Sequence, residues 1–222
     1  MKELIIIRHA RSEYNVQETK ELNSPLTKFG VKQAKNLGKF FLKNDIWKSD
    51  DSKYDLNYFK WNVYTSPFLR CLQTTKELIT PLWEKHTNDK GGVHYRLMPI
   101  SSPLIGEYLE IEDDEVREVL VKTKFEFTPN ICWDLSGETF KSQTNKDFFN
   151  RVCEFYEEHC KENTIVVTHG MVALTLAKIA TENINHVPMW DYSINNASIT
   201  WIQNGRIKWY GRCLHNEPGL KY

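Results

Sequence analysis

The sequence LIIIRH at residues 4–9 decides the expected fold, and the sequence TIVVTHG at residues 164–170 repeats its pattern. In each stretch, four apolar or β-branched residues run directly into polar residues and a histidine. Short runs of this kind predict buried strands, as in a parallel sheet. Ligands of open α/β sheets bind at the carboxyl ends of such strands. We therefore expect Arg8, His9 and His169 to meet in one crevice that suits a reaction on a phosphate.

Strands and helices alternate along most of the remaining chain. Thr27 is suited to cap a helix over residues 28–43, and Pro81 should end or kink a second helix that begins at Ser66-Pro67. Asn204-Gly205 is typical of a hairpin turn. The further predicted helices cover residues 148–159 and 170–181, and the predicted strands cover residues 3–8, 61–64, 94–98, 164–168, 198–202 and 206–210.

Residues 99–138 are the least regular part of the chain. They contain three prolines and an acidic run from Glu110 to Glu118. In a compact α/β protein such an insertion often forms a cap over the strand ends. Because no repeat or low-complexity linker is present, we expect residues 1–222 to form a single domain, with residues about 99–138 as an inserted cap over the site. Residues 44–60 lack periodicity and predict a loop.

The composition of the chain limits which partners and which cellular compartment we expect. The formal net charge of +0 provides no general attraction to nucleic acid or to an anionic membrane. The five cysteines are odd in number and form no C-x-x-C pair, which disfavours a disulfide framework and a zinc site. The apolar run at residues 4–7 is too short for a signal peptide or a membrane span. We expect a cytoplasmic protein, and the sequence does not indicate its oligomeric state.

Ser66, Arg70 and Thr74 are spaced by four residues, which places them on one helical face. Helical side chains lean toward the N-terminus, so the guanidinium of Arg70 should point back to the strand end. The free N–H groups of the helix start lie there, and they favour an oxyanion. A lone arginine more often pairs with a surface acid. Together with Arg8 and the two strand-end histidines, however, Arg70 favours a phosphate pocket.

The two histidines suit different tasks in such a pocket. His9 is a candidate nucleophile, because a neutral imidazole attacks phosphorus well and the cations of Arg8 and Arg70 should lower its pKa. His169 is a candidate donor to the oxygens that gain charge during transfer. A lone histidine on a strand is more often a core residue, but two at matching strand ends favour a shared site.

These residues resemble the motifs of a known family. RHARS at residues 8–12 with Asn15 resembles the R-H-G-x-S-x-x-N motif of the histidine phosphatase superfamily, which has the phosphoglycerate-mutase-like fold. SPFLRCLQT at residues 66–74 is similar to its S-x-x-x-R-x-x-Q-T segment, and THG at residues 168–170 matches its second histidine motif. LTKFGVKQA at residues 26–34, GET at residues 137–139 and Asn195 or Asn196 are similar to further family segments.

The resemblance implies a three-layer α/β sandwich with a mostly parallel central sheet flanked by helices, one antiparallel edge strand and an inserted cap. It also implies a metal-independent phosphatase without a cofactor, acting on small phosphomonoesters. In that family His9 would accept the phosphoryl group, and Arg8, Asn15, Arg70 and His169 would hold the phosphate oxygens. Glu107 would protonate the leaving group and then activate water. Glu110 is the alternative acid.

Two positions depart from the family pattern. Ala10 replaces the usual glycine, and a methyl group is a small enough change that we expect it to be tolerated. Arg11 stands where the mutases carry an acid or a neutral side chain. It either binds a second anionic group of the substrate or points into solvent, and the sequence favours neither alternative.

Two other functions are compatible with the pattern. One is a phosphoglycerate mutase of the same fold. The mutases carry an L-N-E-R-x-Y-G segment that holds a bisphosphate, whereas residues 104–109 read LIGEYL. The other is a non-catalytic module that binds phosphorylated ligands, which the presence of all the main pocket residues disfavours. A phosphoprotein substrate stays open beside a small molecule.

Overall fold

The computed structural model describes residues 3–20, 23–47, 61–66, 68–88, 100–101, 145–181 and 194–213. Within these ranges the chain alternates between strands and helices, with a short 3-10 turn at Tyr14–Val16. The strands are β1 (Glu3–Arg8), β2 (Asn62–Thr65), β3 (Ile100–Ser101), β4 (Thr164–Thr168), β5 (Ile199–Gln203) and β6 (Arg206–Arg212). The helices are α1 (Lys28–Lys43), α2 (Leu69–Asn88), α3 (Asn145–His159) and α4 (Gly170–Ala180).

The strands form one sheet in the order β3-β2-β4-β1-β5-β6. Neighbours among β3, β2, β4 and β1 are parallel, whereas β5 is antiparallel to both β1 and β6. The mostly parallel α/β fold is therefore confirmed. The antiparallel strand β5 is the second strand from this edge of the described sheet, because β6 folds back and pairs with its outer side. Asn204 and Gly205 form the connecting turn with φ of 50° and 72°, as a two-residue hairpin requires.

The sheet separates two apolar layers. Ile5 and Ile7 of β1 pack with buried residues of α1 and α2, and Leu4 and Ile6 pack with buried residues of α3 and α4. Alternate residues of a strand point to opposite faces, so a continuous apolar run suits a strand covered on both sides. The predicted three-layer arrangement follows from this pattern, and it brings the ends of β1 and β4 to the middle of the sheet.

Helix α1 is fixed at its start by the predicted cap. The Thr27 hydroxyl accepts a hydrogen bond from the Gly30 amide at 3.0 Å. The Thr27 amide donates to the carbonyl of Arg11 at 2.9 Å. A Cβ atom added at Gly30 would overlap the carbonyl oxygen of Arg11 and lie 2.9 Å from its carbonyl carbon. The helix start thus lies directly against the backbone that follows His9.

We expect Gly30→Ala to lower the free energy of unfolding by about 3 kcal/mol, the upper range for overpacking, because a backbone carbonyl must move. Urea unfolding of the variant and wild type measures the loss. Lys39→Ala, on the exposed side of the same helix, is the matched control and should change stability by less than about 0.5 kcal/mol. Equal stability of Gly30→Ala and wild type would contradict the close approach.

Helix α2 differs from its prediction in two respects. It begins at Leu69, and Pro67 lies outside the described residues. It also continues through Pro81 to Asn88, so of the two predicted effects of this proline, an end or a kink, the end is wrong. A proline removes one helical hydrogen bond. Burial of Leu78 and Leu82 on either side of Pro81 stabilises the helix there, and α1 approaches the same turns closely at Gly38.

Several predicted features lie outside the described residues. They include the edge strand at residues 94–98, residues 48–60 of the loop, the GET turn and most of the cap. Residues 100–101, at the start of the predicted cap, form β3 in the sheet. Glu107 and its alternative Glu110 also fall in an undescribed range. Among the described helices, none combines the length and apolar character of a membrane span.

Candidate active site

His9 and His169 meet at the carboxyl ends of two neighbouring parallel strands. β1 pairs with β4 in a register that sets Arg8 opposite Thr168. The His9 amide then donates to the carbonyl of Thr168 at 2.8 Å. The two imidazole ring centroids lie 5.2 Å apart, and both residues are at least 96% buried. The structure thus places both histidines in one buried crevice, where their matching positions in the sequence led us to expect them.

The protonation of His9 follows from its contact with the next residue. Its Nδ1 lies 2.8 Å from the carbonyl oxygen of Ala10. Because a carbonyl only accepts, Nδ1 carries the proton and Nε2 has a free lone pair. Burial, followed by the charge of Arg70, lowers the pKa of His9 to about 3, against a raising effect of the Ala10 hydrogen bond. Arg8 lowers this pKa further. At neutral pH, His9 is therefore an unprotonated base at Nε2.

Two arginines reach the histidines from different elements. Arg70, on the first turn of α2, is buried, and its Nη2 lies 3.4 Å from Nδ1 of His169. Its guanidinium stacks on the ring of Phe68, with Cζ 4.4 Å from the ring centroid. Arg8 donates through Nη1 to the carbonyl of Ile194 and packs against Gly170 at the start of α4. Two cations are thus held beside the two rings.

Asn15 lies in the short 3-10 turn, and its amide orientation is fixed by its neighbours. Its Oδ1 accepts from the Ser12 amide at 3.2 Å and from the Ser12 hydroxyl at 3.1 Å. It also accepts from Nδ2 of Asn196 at 3.1 Å. With Oδ1 occupied by three donors, the NH₂ group of Asn15 is the part that can donate to a ligand. Asn196 also donates to the His9 carbonyl at 3.0 Å, which joins this turn to the end of β1.

Ala10 fits the position at which the family usually has glycine. It is fully buried among Leu26, Ala34 and Ala197, and it has no positive φ. Its amide donates to the hydroxyl of Thr74 at 3.0 Å. A methyl group therefore fits here, as we expected.

The Arg11 side chain is exposed, with its guanidinium 6.0 Å from the ring of Phe29. Its backbone amide donates to Oε1 of Gln33 at 3.0 Å. Arg11 therefore lies outside the buried cluster of arginines and histidines. This position leaves both of its predicted alternatives open.

Supporting residues of the site were not assigned from the sequence. The Ser66 hydroxyl lies 2.8 Å from Nε2 of His169, a contact that neither the predicted helix start nor the spacing of Ser66 and Arg70 indicates. Thr74 shared the helical face of Arg70, and its contact with the Ala10 amide could have been inferred from that spacing. Gln73, in the same motif, accepts from the Leu26 amide at 2.7 Å. In the described part of the chain, no group of three or more histidine, cysteine, aspartate or glutamate side chains is placed to hold a metal ion.

The burial of two neutral histidines predicts a pH-dependent stability. Burial is also the main cause that lowers the pKa of His169, followed by His9, Arg70 and Arg8. In the unfolded chain both histidines protonate near pH 6.5, while in the fold they stay neutral, so stability falls as the pH drops below 6.5. For His9, whose pKa is about 3 in the fold, we expect a loss of about 2 kcal/mol between pH 7 and pH 5. The lowered pKa of His169 adds a loss of the same sign. Urea unfolding at a series of pH values measures it.

His9→Gln and His169→Gln each remove one of these two titrations, so each should make stability depend less steeply on pH. An unchanged dependence in both variants would show that the two imidazoles are not held neutral in the fold.

Comparison with known proteins provides relatives over nearly the whole chain. Residues 4–91 match the sequence model of the histidine phosphatase superfamily (branch 1). A protein of Hydrogenobacter thermophilus, named as a candidate phosphoserine phosphatase 2, is 28% identical over 211 residues, covering 91% of this chain and 89% of the relative. The match to the family covers β1, α1, β2 and α2, which carry Arg8, His9 and Arg70.

Solved structures share the fold at lower identity. The ecdysone phosphate phosphatase of Bombix mori, in complex with tungstate, has a TM-score of 0.58 at 14% identity, covering 100% of this chain and 96% of that chain. The phosphoserine phosphatase of Entamoeba histolytica, in complex with 3-phosphoglyceric acid, has a TM-score of 0.51 at 19% identity, covering 97% of this chain and 99% of that chain. The chain therefore shares the α/β fold of these two structures.

Proposed function

We propose that this chain belongs to the histidine phosphatase superfamily, whose sequence model matches residues 4–91, and that it is a metal-independent phosphatase that hydrolyses phosphomonoesters through a phosphohistidine on His9. The observation that carries the proposal is the unprotonated Nε2 of a buried imidazole beside two arginines. Such a nitrogen is a nucleophile at neutral pH, and the cations favour a phosphoryl group in front of it.

In the first step, Nε2 of His9 attacks phosphorus and the bond between phosphorus and the ester oxygen breaks. The leaving oxygen takes a proton and departs as an alcohol. We assign Glu107 as the acid that supplies this proton, from the family resemblance. The hydrogen bond from Nδ1 of His9 to the Ala10 carbonyl at 2.8 Å stabilises the positive charge that the ring gains.

The phosphoryl oxygens would be held by hydrogen-bond donors from several elements. The guanidinium groups of Arg8 and Arg70 keep their charge at all relevant pH values and bind oxyanions with a planar fork. The NH₂ group of Asn15 and the ring of His169 complete the set. Preorganised donors of this kind stabilise the charge on the oxygens in the transition state.

In the second step, water attacks the phosphohistidine and the bond from phosphorus to Nε2 breaks. Glu107, now a carboxylate, takes the proton of the water, and His9 returns to its neutral form. Inorganic phosphate is the product. Each bond change in this cycle uses a residue of the chain or water, so the proposal includes no metal ion.

The relative from Hydrogenobacter thermophilus makes phosphoserine the first substrate to test, beside a chromogenic phosphate ester. Purified protein with excess chelator should release phosphate, and vanadate should inhibit it. If the reaction is quenched while an ester with a labelled phosphoryl group turns over, the label should stay bound to the protein. The bond that holds this label should be stable in alkali and broken in acid. Absence of turnover on a panel of phosphorylated metabolites and a phosphopeptide would contradict the proposal. Interconversion of 2- and 3-phosphoglycerate that needs a bisphosphate primer would indicate a mutase instead.

A further inference from the structure

Two of the polar contacts of His169 are of opposite kinds. Its Nδ1 lies 3.4 Å from Nη2 of Arg70, and its Nε2 lies 2.8 Å from the hydroxyl of Ser66. A guanidinium has donors only, so Nδ1 must present its lone pair to Arg70. The proton of the neutral ring is then on Nε2 and is donated to the Ser66 oxygen.

The Ser66 hydroxyl is held rigidly in this position. Ser66 is fully buried, and its amide donates to the carbonyl of Val167 at 2.9 Å, which fixes it to the end of β4. The ring of Phe68 packs edge-on against the His169 ring, with centroids 5.1 Å apart. The Cys71 sulfur also lies 3.6 Å from Nε2, but sulfur is a weak acceptor. The Ser66 oxygen is therefore the stronger partner of Nε2.

This tautomer conflicts with the task that the proposed function gives His169. The nitrogen next to Arg70, on the side of the phosphate cradle, is Nδ1, and it has no proton to donate. To donate to a phosphoryl oxygen, Nδ1 must gain a proton while Nε2 keeps its own. The ring then becomes an imidazolium with two donors, and Nε2–H still needs an acceptor in a buried setting.

We propose that Ser66 is a positioning residue that accepts Nε2–H of His169 in both states, so that the ring takes up a proton at Nδ1 when a phosphate dianion binds. This inference rests on the proposed function. The proton comes from solvent and forms one new N–H bond. Nδ1 of His169, which accepts a hydrogen bond from Arg70 in the free protein, thereby becomes a donor to the bound dianion.

Among the residues that the structure describes, the charges that approach His169 oppose its protonation until an anion binds. His9 and Arg8 approach it from β1, and Arg70 and Cys71 from α2. Burial and the two arginines lower the pKa of His169. A dianion in front of the arginines offsets their charge, and the Ser66 oxygen stabilises the imidazolium from the opposite side.

Calorimetry with inorganic phosphate at pH 8, in two buffers of different ionisation enthalpy, tests the proposal by counting protons. Wild type and Ser66→Thr should take up about one proton per phosphate dianion bound, because threonine retains the hydroxyl, and Ser66→Ala should take up almost none. Turnover of Ser66→Ala should fall about 10- to 100-fold with KM changed less than threefold. In the plot of kcat against pH, the decline on the alkaline side should begin at a lower pH for Ser66→Ala than for wild type.

Thr75→Val is the matched control. It removes a buried hydroxyl of α2, which donates to the Thr65 hydroxyl at 3.0 Å and to the Cys71 carbonyl at 2.9 Å. It should lower stability without changing proton uptake or the alkaline decline of kcat. Full proton uptake by Ser66→Ala, or failure of Ser66→Thr to restore it, would overturn the proposal.

If Ser66→Ala does not fold, labelling the wild-type histidine nitrogens answers the same question. On addition of phosphate, Nδ1 of His169 should change from an unprotonated to a protonated nitrogen in the NMR spectrum, and Nε2 should stay protonated. An unprotonated Nδ1 in the complex would also overturn the proposal. Lack of any turnover by wild type would count against the proposed function, while calorimetry and NMR would still decide the role of Ser66.

Discussion

His9→Asn should abolish phosphatase activity, with kcat lower by about 10⁴-fold or more, the scale expected for loss of a nucleophile. The variant has no imidazole nitrogen that can form a bond to phosphorus. The two arginines do not depend on the His9 side chain for their position, since Arg70 stacks on Phe68 and Arg8 bonds to Ile194. Inorganic phosphate should therefore still bind, and trapping with labelled ester should leave the protein without label.

His159→Asn is the matched control for this experiment. His159 ends α3, where its ring centroid lies 5.2 Å from that of Phe155 and 5.1 Å from that of Tyr64. It should retain activity and label. Label that persists in His9→Asn would identify another nucleophile and contradict the assignment of His9.

The strand and helix pattern could be predicted because each element meets a local rule. The apolar run of β1 is followed by Arg8 and His9, and the structure begins and ends this strand at the predicted residues. Thr27 begins α1 by the predicted cap, and the helix covers the predicted residues 28–43. Helix α2 continues through Pro81 because contacts with a helix distant in sequence oppose the local effect of the proline. A proline in a peptide sequence carries no information about such packing.

The central part of the site could be predicted for a related reason. Strand ends and one helical face are visible in the sequence, and they placed Arg8, His9, Arg70 and His169 together. The contact between Ser66 and His169 depends on the register of β2 against β4, which the sequence does not reveal. Asn15 was expected from the motif, but its bond to Asn196 depends on the position of the chain before β5. Glu107 lies outside the described residues, so its role as the acid stays a proposal.

Arg70→Lys should lower kcat by about 10²- to 10³-fold, the range for losing one preorganised donor to a transition-state oxygen. Lysine keeps a positive charge but loses the planar fork, the contact with His169 and the stacking on Phe68. If the fork mainly stabilises charge that develops during transfer, kcat should fall more than the affinity for phosphate, and Arg70→Ala should lose both.

Steady-state kinetics and phosphate titration separate these effects. Arg206→Lys, on the exposed start of β6, is the matched control and should behave as wild type. If Arg70→Lys retained kcat within about threefold of wild type, an unspecific positive charge would suffice, contrary to the expectation for a bidentate site. Arg70 would then act mainly by lowering the pKa of His9, to which its charge contributes after burial. The directional part of the phosphate cradle would have to come from Arg8 and Asn15.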